Sequence, residues 1–138
     1  MPKPIFSLLA ILIASSLQAQ NLGLDWAISI GGYQGDYCTK MVTDNKGYLY
    51  LTGGFRDSAD FDPSAGVHYL HSTSYSFSGF IQKIDSLGNL VWAKGIRPVS
   101  NITYTASGAI SIALDSLGNS YVVGKFDGTV DFDPGPLS

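Results

Sequence analysis

The sequence predicts an all-β repeat protein, and three observations predict it. The first is an internal repeat. Asp44-Asn45-Lys46-Gly47-Tyr48 and the run on to Phe55 return as Asp115-Ser116-Leu117-Gly118-Asn119 and the run on to Phe126. Asp60-Phe61-Asp62-Pro63 returns as Asp131-Phe132-Asp133-Pro134 at the same interval, with no gap between the two matches. A fixed period marks units that bury their apolar faces against one another rather than each closing a core alone. The second observation is periodicity: beyond the N-terminal run no ten-residue stretch has helical spacing, while many short runs alternate as strands do. The third is punctuation by Asp-x-x-Gly turns at close intervals. Short strands with such turns indicate a sandwich, barrel or propeller, and the long period selects a propeller or a β-solenoid.

The elements follow in order. Lys3, the apolar run Ile5 to Leu17 and the small residue of Ala19-Gln20 read as a secretory signal peptide over residues 1–20. The run is shorter than the roughly 20 apolar residues a membrane span needs. No cysteine lies beside the expected cut, so a lipid anchor is not indicated. Met41 to Thr43 and Tyr48 to Thr52 are strands around the turn Asp44-Asn45-Lys46-Gly47. Phe80 to Ile84 and Leu90 to Ala93 flank Asp85-Ser86-Leu87-Gly88-Asn89, and Ile110 to Leu114 and Tyr121 to Val123 flank Asp115 to Asn119. In each turn the Asp can accept hydrogen bonds from its own backbone and the Gly can take a positive φ, which makes tight hairpin loops. Trp26-Ala27 recurs as Trp92-Ala93, closer together than the other matched landmarks, so the second unit carries extra residues, placed in a loop over Arg97 to Ala106. The repeats divide the chain into residues 21–90 and a second, truncated unit over residues 91–138. Such a unit has room for the four or five short strands of one propeller blade.

Composition restricts the function. Eight Lys and Arg against eleven Asp and Glu give a net charge of −3. With no basic stripe to track phosphates, the balance argues against a nucleic-acid partner. The single cysteine, Cys38, cannot form an intramolecular disulfide. The repeat sets it opposite Ala109, which predicts a small buried residue rather than a reactive thiol.

The carboxylates Asp57, Asp60 and Asp62, with Asp127, Asp131 and Asp133 in the second unit, offer oxygen ligands of the kind Ca²⁺ takes, but the spacing is not that of an EF-hand. Asp-Phe-Asp-Pro reads more simply as a turn, with the aromatic tucked inward and the carboxylates capping amides. A sialidase would need clustered arginines to grip a carboxylate, and Arg56 and Arg97 are the only two. The Asp-x-x-Gly turns also miss the Asp-x-Gly spacing of sialidase Asp-boxes. His68 and His71, three apart on extended chain, point to opposite faces and read as surface residues. Asn101-Ile102-Thr103 fits the N-glycosylation pattern. Ser72 to Ser78, alternating Ser with Tyr and Phe, is either a surface that stacks on sugars or lines a protein interface, or a half-buried strand, and its period favours the strand. No catalytic, cofactor-binding or metal-ligating residue is assigned, and no cofactor is expected.

The succession Trp92-Ala93 to Gly95, Asp115 to Phe126 and Asp131 to Gly135, with Phe80 to Trp92 before them, resembles the SBBP repeat, a bacterial β-propeller repeat family. The likeness covers nearly all of the chain after the signal. It implies an exported propeller, of the kind found in large surface or secreted proteins of the Bacteroidota that carry a C-terminal sorting domain, and it brings no catalytic residues. Fewer than two blades fall within the sequence, where closure takes about four to eight. The expectation is therefore an incomplete propeller, part of a larger extracellular binding or scaffold protein, secreted or held at the cell surface. A protein or carbohydrate would be its ligand, and exposed blade edges would be prone to self-association. The alternatives are part of a polysaccharide-active hydrolase or lyase on a propeller, and a self-assembling surface protein.

Overall fold

The three Asp-x-x-Gly turns dictate where the chain reverses, and each closes with the same bonds. In the computed structural model, residues 23–72, 76–99 and 107–133 are described. Lys46 N and Tyr48 N donate to Asp44 Oδ1, Leu87 N and Asn89 N to Asp85 Oδ1, and Leu117 N and Asn119 N to Asp115 Oδ1, all at 2.8–3.0 Å. Gly47, Gly88 and Gly118 take φ of 82°, 88° and 86°, the left-handed region that glycine enters without a Cβ clash.

The strands among the described residues are β1 (Gly31–Gly32), β2 (Tyr37–Thr43), β3 (Leu49–Arg56), β4 (Ser58–Asp60), β5 (Tyr69–His71), β6 (Phe77–Ile84), β7 (Leu90–Pro98), β8 (Ser107–Leu114), β9 (Ser120–Phe126) and β10 (Val130–Asp131). The protein is all-β. Its largest sheet, in the order β10-β7-β6-β3-β2, is antiparallel throughout, and within it β2-β3-β6-β7 is a meander interrupted by the β4-β5 hairpin. β1-β4-β5 forms a second sheet and β8-β9 a third, and the described residues form no closed propeller. The five-stranded sheet runs across the sequence division at residue 90, because β7 pairs along β6.

Strand alternation puts Leu51, Phe55, Phe80 and Ala93 on one face of the meander. Ala59, Phe61, Ile30 and Leu70 cover them and complete the core. Phe61 meets Phe55 edge-on, with ring centroids 5.4 Å apart, and lies 4.9 Å from Phe80. Full burial of one such aromatic stabilises the fold by about 1.5–3 kcal/mol. On the opposite face β8 lies across β3, β6 and β2. Ser107 Oγ, at the start of β8, accepts from Gly79 N at 3.2 Å and donates to Ile96 O at 2.8 Å. Thr39 Oγ1 donates to Ala109 O at 2.9 Å.

The two units repeat in backbone detail. The β2-β3 ladder slips at a bulge between Cys38 and Lys40, and the β8-β9 ladder slips between Ala109 and Ser111, the equivalent positions of the repeat. A Cβ on Gly53 would collide with Tyr37 O, and one on Gly124 with Gly108 O, so both bulges need glycine for the same close approach. Asp62 N donates to Asp60 Oδ1 at 3.0 Å, and Asp133 N to Asp131 Oδ1 at 2.8 Å. One pairing also recurs between the units. Gly31 and Gly32 pair with Asp60 and Ala59 as Arg97 and Pro98 pair with Asp131 and Val130.

Two sequence expectations change. Cys38 is exposed, because β2 is the outer strand of its sheet, whereas its counterpart Ala109 is buried where β8 packs on the first unit. The expected loop over Arg97 to Ala106 begins later, since Arg97 and Pro98 end β7 and Val99 N donates to Thr129 O at 2.9 Å. Residues 100–106 lie outside the described residues, as do the expected signal segment and Asn101.

Candidate functional site

The chemistry-bearing side chains of the first unit are turned to structural work. Asp60 Oδ1 accepts from Asp62 N at 3.0 Å and from His68 N at 2.9 Å, and Asp62 Oδ1 accepts from Ser64 N at 2.9 Å. The Asp-Phe-Asp-Pro segment is thus a turn with Phe61 buried, as its composition suggests. The Ser64 hydroxyl and amide beside Asp62 hold its carboxyl below the ordinary value of 3.8. Asp57 takes a φ of 62° and its carbonyl accepts from Ser72 N at 2.6 Å, which turns the chain from β3 into β4. Among the described residues no three of His, Cys, Asp and Glu converge in a metal-holding geometry.

The remaining predicted residues are scattered. His68 is not a surface residue as expected: it is half-buried, with Nε2 3.3 Å from Ala93 O, while His71 is exposed and stacks on Tyr69. The Arg56 guanidinium lies 4.2 Å over the Phe77 ring. Arg97 lines a separate groove with His71 and Asp131. In the aromatic-polar stretch, Ser76 and Ser78 are buried, and Phe77, which opens β6, packs between Arg56 and Tyr37, so Phe77 and Ser78 belong to a packed strand. Ser78 Oγ donates to Ser72 Oγ at 2.7 Å, and Ser72 Oγ to Ser76 O at 2.8 Å. Residues 73–75 lie outside the described residues.

The surface that remains is the outer side of the second unit. Tyr50, Thr52, Phe55 and Phe61 are 2, 0, 0 and 1% exposed, whereas their counterparts Tyr121, Val123, Phe126 and Phe132 are 62, 63, 56 and 61% exposed. The side chains are nonetheless arranged alike: Phe126 and Phe132 meet edge-on at 5.1 Å and 83°, as Phe55 and Phe61 do at 5.4 Å and 82°. Two elements make the difference. In the first unit β6 pairs with β3, placing Phe80 on the aromatic pair, and β8 covers the opposite face. Among the described residues β9 has no partner on its outer edge.

That edge also lacks a bulge of its own. The outer edge of β2 carries a bulge and Lys40, and β8 carries the equivalent bulge at Ile110. Bulges and lysines are devices that keep edges from pairing. β9 itself carries no inserted residue, and Lys125 is its one charge. Sequence reasoning anticipated exposed blade edges but could not single out β9, since bulge positions only become visible from the pairing. No helix among the described residues is long and apolar enough to cross a membrane. Comparison with family models, curated proteins and solved structures finds no match for the chain.

Proposed function

We propose that this protein is an exported repeat protein whose units are β-propeller blades of the SBBP type, and that it serves as an extracellular binding or scaffold module rather than a catalyst. The observation supporting it is the recurrent pairing of Gly31-Gly32 with β4 and of Arg97-Pro98 with β10. At both places the end of a Trp-containing run pairs with the short strand that enters the Asp-Phe-Asp-Pro turn, which is the interlocking expected of successive blades in a repeat array. Asp44, Asp60, Asp62 and Asp85 hold backbone amides, which leaves apolar surface and strand edge as the means of recognition. Protein or carbohydrate is the ligand class this surface suits.

Incubation of the secreted protein with insoluble polysaccharides and with cell-envelope preparations tests the reading. Retention on one of them with no release of reducing ends or unsaturated sugars is expected. Release of such products would overturn the proposal in favour of a hydrolase or lyase.

A further inference from the structure

The first unit contains the template for what the second unit lacks. β6 pairs with β3 over its whole length, from Leu49 opposite Ile84 to Arg56 opposite Phe77. β9 matches β3 in its bulged partner strand, its close-approach glycine and its edge-on aromatic pair. We infer that the outer edge of β9 is an acceptor for one antiparallel strand of the β6 pattern, Phe-x-Gly-Phe-Ile-x-Lys-Ile, which seats its second Phe over Phe126 and Phe132. The inference rests on the repeat reading above and adds to it a partner and a register.

The register is specific. Transferring the β3-β6 pairs sets Gly124 opposite the residue at the place of Phe80, Phe126 opposite that of Ser78, and Tyr121 opposite that of Lys83. In the first unit Lys83 Nζ lies 4.8 Å from the Tyr50 ring, so the acceptor offers Tyr121 for the same cation-π contact. The strand is recognised by main-chain hydrogen bonds for affinity and by alternate side chains for specificity, the mode known as strand addition. A second folded copy cannot supply it, because β6 is engaged by β3 on one edge and β7 on the other. The occupant is an extended segment carrying this pattern with both edges free of other strands.

The test adds a synthetic peptide reproducing Ser76 to Pro98 to the isotope-labelled full chain. Hydrogen exchange and nuclear Overhauser contacts are then read along β9. Saturable binding is expected, with contacts from the peptide's Phe80 to Gly124 and Phe126. At about 100 times the Kd, amide protection on the bonded edge rises by up to about 100-fold. A peptide with Phe80→Ser should bind about tenfold more weakly, the value of one aromatic contact, and Phe126→Ser in the protein should match it. A peptide N-methylated at alternate residues of the bonding edge should not bind. If the β8-β9 contacts between Ala109 and Gly124 are intact but the peptide fails to bind, or binds at β2 or in another register, the inference is overturned while the repeat reading stands. Concentration-dependent dimers joined through β9 that exclude the peptide also overturn it. Absence of the Ala109 to Gly124 contacts would sink the repeat reading itself.

Discussion

Phe55 and Phe126 are the same residue of the repeat in different surroundings, so truncating each to Ala isolates the surroundings. Phe55 is 0% exposed and in contact with Phe61, and Phe55→Ala removes both the transfer energy of the ring and the packing around the space it leaves. Such a change costs about 3–5 kcal/mol. Phe126 is 56% exposed, so less than half of a transfer energy of about 1.5–3 kcal/mol is at stake and solvent fills the gap without a cavity. Phe126→Ala should therefore cost about 1 kcal/mol, part of it the edge-on contact with Phe132. Urea denaturation followed by tryptophan fluorescence would read the pair. With a slope of about 1.5 kcal/mol per molar, the midpoint falls by about 2–3 M for Phe55→Ala and by under about 1 M for Phe126→Ala. Equal losses would refute the reasoning, since they would mean that the second unit is covered in solution as the first is.

Thr52 Oγ1 donates to Phe80 O at 2.8 Å in a fully buried position, so Thr52→Val should cost about 1–2 kcal/mol by removing that bond, whereas Val123→Thr at the exposed equivalent should leave the urea midpoint unchanged. Gly53→Ala and Gly124→Ala should each destabilise by about 1–3 kcal/mol because the added methyl meets Tyr37 O or Gly108 O, and calorimetry showing either to be neutral would contradict the bulge geometry. Cys38 should react with a maleimide in the native protein to the same extent as in urea, and protection of the thiol would restore the buried position expected from sequence. Asn89 and Asn119 side chains, with the amides around them, hold Asp85 and Asp115 below 3.8, and at Asp44 the raising effect of burial is overcome by amide bonds from Tyr48 and Lys46 together with the Lys83 charge and the Tyr50 hydroxyl. Carboxyls lowered on folding stabilise above their unfolded value and lose that contribution as pH falls through the folded one, so the melting temperature should hold from pH 7 to about 5 and drop below about 4. A profile flat to about pH 2.5 would contradict the turn geometry.

The backbone was legible in the sequence, while the environments were not. All six strands expected from alternation are present, each longer than its apolar signal, and the three Asp turns close as their residues dictate. β1, β4, β5 and β10 escaped because segments of two or three residues carry no measurable period. Cys38 shows the limit most clearly. The repeat aligned it with Ala109 correctly, since both precede the bulge, yet one is exposed and the other buried. A repeat transmits local geometry from unit to unit, whereas burial depends on what packs against the strand, which is a property of the neighbour. The same distinction explains His68, whose half-buried position is set by Ala93 on β7, a strand well beyond it in the chain.

The two unequal intervals in the sequence acquire a physical meaning from the pairing. Trp26 to Gly32 matches Trp92 to Pro98 at the shorter interval, and Tyr37 onward matches Gly108 onward at the longer one, so the additional residues lie after Pro98 and before Gly108. Both strand ends that close the Trp-containing runs do the same thing: they leave their own run and pair with the short strand that leads into the Asp-Phe-Asp-Pro turn of the next unit. The segment around Trp26 is therefore equivalent to β7, the last strand of a meander, although no meander precedes it among the described residues. Its indole donates to Ser86 O at 3.1 Å and rests against Gly88, so it clasps the β6-β7 turn of the unit it covers. Sheet and sequence repeat are out of phase by one strand, and that offset is what ties each unit to the next. In the first unit β6 brings Phe80 onto the aromatic pair, and among the described residues no equivalent strand lies on β9, so Phe126 and Phe132 are exposed.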